Sequence, residues 1–150
     1  MIEIATEIRK AIIAEISPLT LSGVTIPVYD TELPPGINPA NYLGSQAYVL
    51  ITDQNEAETT NNDCSIRQTA SVTINIINKF PQGSGGKKAS ETISNVIQQA
   101  ITKENLSLPA GIQLLNLRKA FSRVQIEQGS SQIGYQKIIG YNLDIFQVSW

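Results

Sequence analysis

Hydrophobic positions along the chain change period several times, and each change marks an element. Ile4, Ala5, Ile8, Ile12 and Ile16 recur at three- and four-residue spacing, with Glu7, Arg9, Lys10 and Glu15 between them. That pattern predicts an amphipathic helix ending before Pro18, since proline disfavours helix in the residue ahead of it. Val24, Ile26 and Val28 then alternate as a short strand, and Pro27 within it argues for an edge position. The Pro/Gly/Asn-rich stretch over 33–44 reads as a long loop. "QAYVLITDQ" is apolar enough in both phases for a largely buried strand, and "EAETTNND" follows as a polar turn.

The strongest strand signal runs from Cys64 to Asn78. Ile66, Ala70, Val72, Ile74 and Ile76 occupy one phase, while Arg67, Thr69, Ser71, Thr73 and Asn75 occupy the other. One face is therefore dry, and the other is wet or turned to a partner. After a glycine-rich loop, Ile93, Val96, Ile97, Ala100 and Ile101 mark a second amphipathic helix, with Ser90 as a candidate N-cap. "LSLPAG" breaks the chain again. The last third predicts strands over 117–128 and 135–148, joined through "GSSQIG". Tyr135, Ile139, Tyr141, Leu143 and Ile145 share a face of the final strand, and a change of phase near Phe146, with Val148 and Trp150 on the other side, suggests a bulge or a late contact with something else. Helices set apart from a run of adjacent strands give an α+β fold: a mostly antiparallel sheet of about four to five strands, flanked by two amphipathic helices. The expected organisation is a single domain over 1–150.

Composition narrows the chemistry. At 150 residues, with 41% hydrophobic and 16% charged residues and a net charge of −2, the chain has enough apolar material for a core. A chain of this size buries roughly 70% of its unfolded surface without needing a disulfide or metal. Charges interrupt every turn of the N-terminal segment, so it reads as neither a secretory signal nor a membrane span. Cys64 is the only cysteine and there is no histidine. Those two facts remove an internal disulfide, the Ser-His-Asp triad, the Cys-His pair and the usual zinc sites.

The "GSGGKK" stretch, residues 83–88, invites comparison with a phosphate-binding loop. Gly86-Lys87 supplies the centre of G-x-x-x-x-G-K-[ST], but Pro81 stands where the first glycine belongs. Lys88 stands where the Mg²⁺-binding hydroxyl belongs. A mobile connector between strand and helix is the better reading, with Lys87 and Lys88 either solvated or facing an acidic neighbour or a phosphate backbone. Asp63 beside Cys64 argues against a lowered thiol pKa. Asp53, Glu56 and Glu58 flank a polar turn without the spacing of a cation cage. Ser90 near Lys88 is too little for a Ser-Lys dyad. No catalytic residue, cofactor site or metal site is expected. The candidate interface residues are Lys87, Lys88, Arg67, Arg118, Arg123 and Trp150. Lys119 joins the arginines on what reads as the polar side of a strand, and Trp150 either folds onto the core or serves as an anchor.

The succession of an amphipathic helix, "IPVYDTELPP", "AYVLIT", the long strand "SIRQTASVTINIIN", the helix "ASETISNVIQQAI" and the closing "GYQKIIGYNLDIFQV" is similar to the tail-completion or tail-terminator proteins of tailed bacteriophages and prophages. These proteins join tail to head. The resemblance implies a non-enzymatic virion subunit of the tail or neck, assembled in the host bacterial cytoplasm. It implies a homo-oligomeric ring, hexamer or dodecamer, docked between tail tube and portal or connector proteins. DNA passing through the ring lumen is compatible with that role; a membrane or a small-molecule substrate is not part of it. The loops at 53–63 and 80–88 and the C-terminal end are then the expected contact regions. The 33–44 and 83–86 loops depart from the family pattern. Two other readings follow from residues alone: a small phosphate- or nucleotide-binding protein using Gly83 to Lys88, and a nucleic-acid-binding protein using Lys87, Lys88, Arg118 and Arg123.

Overall fold

The computed structural model describes residues 4–61, 65–82 and 87–148. Helix α1 spans Ile4–Ile16, as its period predicts, and buries Ile4, Ile8, Ala11, Ile12 and Ile16. Strands β1 (Leu19–Leu21) and β2 (Val24–Ile26) form a small hairpin of their own. Its two-residue turn, Ser22-Gly23, has positive φ at both positions (49° and 80°), the twist that matches a tight hairpin. The expected Val24–Val28 strand is thus divided at Pro27. Beyond it, β3 (Val28–Asp30) joins the main sheet at an edge, where Pro27 places no demand for an N–H donor.

The main sheet has six strands in the order β3-β5-β6-β8-β7, with β4 (Ala40–Tyr42) also on β5. It is mixed: β3 runs parallel to β5, and the other pairs are antiparallel. The α+β class stands, with more strands than the four to five expected. Strand β4 falls inside the expected long loop. It reaches β5 through a second tight turn, Leu43-Gly44, again with positive φ at both residues (50° and 78°).

Four strands are long: β5 (Ser45–Asn61), β6 (Ser65–Pro81), β7 (Ile112–Gln128) and β8 (Gln132–Val148). The expected polar turn over 56–63 is therefore strand through Asn61, paired with β6 as one arm of a hairpin. The bulge expected near Phe146 does not occur; β8 pairs with β6 without a break from Gln132 to Val148. The register shifts lie instead in β5 (Thr52/Asn55 and Glu58/Thr60) and β7 (Leu114/Asn116 and Lys119/Phe121).

Both helices cover one face of the sheet. Helix α2 (Lys87–Ala100) buries Ala89, Ser90, Ile93, Ser94 and Ile97, so its small residues let the two isoleucines seat closely on the strands. Ser90 is consequently a buried first-turn residue and not an N-cap. The core joins these helices to Val49 and Ile51, to Ala70, Val72, Ile74 and Ile76, and to Ile139, Tyr141, Leu143 and Ile145. Arg9 Nε lies 3.0 Å from Asp30 Oδ2, a partly exposed pair tying α1 to the end of β3. Such a pair contributes about 0.2–1 kcal/mol.

Gly140 on β8 is buried opposite Phe121 on β7. A Cβ there would overlap Cε1, Cδ1 and Cζ of the Phe121 ring, so the ring lies on the glycine backbone. Gly140→Ala is expected to cost about 1 kcal/mol, at the low end for overpacking because the ring, 42% exposed, can swing outward. In a double-mutant cycle by urea unfolding, Phe121→Ala should remove most of that cost; additive losses would contradict the contact.

Candidate functional site

The helix-free face of the sheet gathers the arginines singled out in the sequence. Arg67 on β6 lies in the phase opposite to the core. Arg118 pairs with Asn142, which pairs in turn with Ser71, and Arg123 pairs with Ile138, which pairs with Asn75; both therefore share that phase. Their odd spacing would put them on opposite faces of a regular strand. The shift between Lys119 and Phe121 inserts one extra residue and brings them together. The same shift explains why Lys119 does not join them: it pairs with Tyr141 and lies on the helix side.

Polar groups on this face are tied to one another. Thr69 Oγ1 donates to Asp144 Oδ1 at 3.2 Å, and Arg118 Nη1 stands 3.8 Å from Asp144 Oδ2. Asn75 Nδ2 donates to Thr52 Oγ1 at 2.7 Å. The Arg123 guanidinium lies 5.4 Å from the Phe121 ring centroid, a cation–π contact. Toward the β7–β8 turn, the face opens into a groove of about 510 Å³ lined by Ile77, Lys79, Gln125, Glu127 and Gln136. These groups can make hydrogen bonds and ion pairs with a protein surface. Among the described residues, no group of three or more His, Cys, Asp or Glu could hold a metal ion, and no helix is long and apolar enough to cross a membrane.

Strand β7 carries what the sequence reading missed. From Arg118 to Gln128 every residue is exposed, including Phe121, Val124 and Ile126. The alternation Arg-Val-Gln-Ile-Glu over 123–127 signals a strand with an apolar face. Periodicity alone says nothing about whether that face meets the core or another molecule. Lys87 and Lys88 open α2 and are exposed; the Thr92 hydroxyl donates to Lys88 O at 2.8 Å. Gly83–Gly86, Asp63, Cys64 and Trp150 lie outside the described residues.

On the helix side, a second cleft lies between the end of α2 and β7. Lys119 Nζ donates to Gln98 Oε1 at 3.1 Å, and Gln98 Nε2 donates to Ser94 Oγ at 2.8 Å. Tyr141 contributes to the cleft lining, and its hydroxyl is buried without a hydrogen-bond partner among the described residues. Burial pushes the Tyr141 hydroxyl up to about 12. Burial, and secondarily the Glu91 carboxylate, raises Tyr135 as well. Both groups are neutral acids whose folded pKa exceeds the unfolded value of about 10. Their stabilising effect is therefore complete below pH 10 and is lost as pH rises through the folded values. Unfolding free energy should decline between about pH 10 and 12, and Tyr141→Phe should flatten part of that decline while leaving pH 7 stability equal or higher. Denaturant titrations across the range test this; an unchanged alkaline slope in the variant would contradict it.

No family model matches the sequence, and no curated protein matches it. Among solved structures, a chain of the virion of the native gene transfer agent (GTA) particle aligns over 96% of this chain and 99% of its own, at TM-score 0.64 and 14% identity. That likeness shows a shared fold. A second solved chain aligns over 93% of this chain and 94% of its own at TM-score 0.43 and 14% identity, too distant to bear on function.

Proposed function

We propose that this chain is a structural subunit of a phage-like virion, acting by assembly rather than catalysis. In finer terms it is a tail-terminator or head–tail joining subunit that forms a hexameric or dodecameric ring between tail tube and portal or connector, with DNA able to pass through the lumen. The observation that carries the reading is the fold shared, over nearly the full length of both chains, with a chain of a gene transfer agent virion. Two features of this chain support it. The sheet leaves one face free of helices, and strand β7 leaves Phe121, Val124 and Ile126 exposed, a pattern typical of surfaces that other subunits cover. Arg67, Arg118 and Arg123, on that face, are the proposed contacts to neighbouring rings, with Lys87, Lys88 and Trp150 as further proposed contacts.

Negative-stain electron microscopy and multi-angle light scattering of the purified protein test this reading. Ring-shaped particles with a central opening and a mass of several subunits are expected. A strictly monomeric protein at millimolar concentration would count against assembly as its mode of action.

A further inference from the structure

We infer that subunits join edge to edge, with strand β7 of one copy lying antiparallel against the outer half of β5 in the next. The inference rests on the assembly reading and names the surfaces that carry it.

The sheet has two open edges among the described residues. On one side β7 pairs only with β8. On the other, β4 covers Ser45–Ala47 of β5 and β3 covers Val49–Ile51, leaving the outward side of β5 without a strand from Thr52 to Asn61. Three antiparallel steps separate β5 from β7, so the two edges run in opposite directions. A neighbour placed beside β7 in the same orientation therefore presents its β5 antiparallel to it. This is a heterologous contact, the kind that closes into a ring.

Tracing paired residues across the sheet gives the height of each position. Arg118 stands level with Asn142, Ser71 and Asn55; Leu117 stands level with Leu143, Ala70 and Glu56. A ring requires neighbours at equal height, which sets Arg118 and Lys119 against the stretch holding Asp53, Glu56 and Glu58. The signs are opposite. Antiparallel pairing of β7 with its own copy centred near Ala120 would instead crowd Arg118, Lys119 and Arg123 of both copies together, which is destabilising.

Beyond Lys119 the neighbour's edge is occupied by β3 and β4, so the remainder of β7 would lie against their outer side rather than against β5. Ile126 stands level with Tyr135, Asn78 and Ala47, three residues past the Leu43-Gly44 turn. Among the described residues, the exposed large hydrophobic ones are Ile37, Leu43, Phe121, Val124 and Ile126. They fall into two groups, one on β7 and one on the β3–β4 loop and β4–β5 turn at the far edge. Level stacking brings the groups together, so charge and apolar surface select the same pairing.

The test uses charge exchange. Lys119→Glu and Glu56→Lys are each expected to weaken self-association by about tenfold or more, with unfolding midpoints close to wild type. Mixing the two variants, or combining both changes in one chain, should restore particles of wild-type mass by light scattering. Ile126→Asp should weaken assembly independently of either charge. If Glu56→Lys has no effect while Lys119→Glu disrupts, β7 meets a surface other than β5 and the inference is overturned. Rings that keep their mass in all the single variants overturn the edge assignment and leave the assembly reading standing. Wild-type protein that stays monomeric at millimolar concentration overturns both.

Discussion

Ile139→Ala is expected to cost about 3–4 kcal/mol of unfolding free energy. Ile139 is fully buried on β8, between Ile74 of β6 and Ser122 of β7, in the same cluster as the helix residues Ile93 and Ile97. Removing its branched end leaves a cavity bounded by strands that are hydrogen-bonded on both sides and cannot close in. The loss is therefore the transfer energy of the missing groups plus a cavity contribution, near the upper half of the usual range. Ile126→Ala is the control. Ile126 is apolar and sits two rows away on the neighbouring strand, but it is 54% exposed, so its loss should stay within about 0.5 kcal/mol. Urea unfolding of the two variants separates core from surface in one comparison. Similar losses for both would mean that the β7 end is covered within the monomer.

Asn78→Asp is expected to be nearly as damaging at neutral pH, and to recover in acid. Asn78 is fully buried, and its Nδ2 donates to Ser45 Oγ at 3.0 Å, while the Ser45 hydroxyl donates to Tyr42 O at 3.0 Å. This short chain of polar groups fastens the end of β6 to the start of β5 and the β4 turn. A carboxylate in that position would be desolvated, with no cation hydrogen-bonded to it. Its pKa in the folded protein must rise well above the ordinary value of about 3.9. The sign then follows from linkage: a raised folded pKa gives a penalty that is absent below the unfolded value and grows as pH increases. Because the group can escape by taking up a proton, the cost at pH 7 is capped at about 4 kcal/mol, the work of protonating it there. At pH 4 the neutral acid can still donate to Ser45 Oγ, and most of the stability should return. Thermal unfolding from pH 4 to 8 gives the test; a pH-independent loss would mean that water reaches the site.

These effects were unevenly legible in the sequence. Helix α1 and strand β6 could be read residue by residue because both sit with one face on the core, and their periods, near 3.6 and 2, record that contact. Ile139 could be grouped with Tyr141, Leu143 and Ile145 on one face of the last strand for the same reason, and that face packs in the core. The β4 strand was hidden because three residues between glycines and prolines carry no period, and its pairing is set by the Leu43-Gly44 turn. The outer half of β5 was read as a turn because strand pairing there is between backbones, while its side chains are those of a solvated loop. On β7, the relation between Arg118 and Arg123 depends on an extra residue in the ladder, and a bulge has no signature in composition. The exposed positions Phe121, Val124 and Ile126 looked like ordinary strand residues. What a surface faces is a property of the assembly, and a single sequence records only that some residues are apolar.

The unbroken register between β6 and β8 has a mechanical consequence. Their paired residues run continuously from Ser65 with Val148 to Pro81 with Gln132, and the bonds of an antiparallel ladder lie across the strands. A pull directed along the strands therefore loads the whole ladder at once, whereas a pull across them peels it rung by rung. The centre of this molecule is stiff in tension along one axis and comparatively weak along the perpendicular one. A subunit oriented with that axis along the line of load would transmit force as a tie rod does, stretching little until the ladder gives way together.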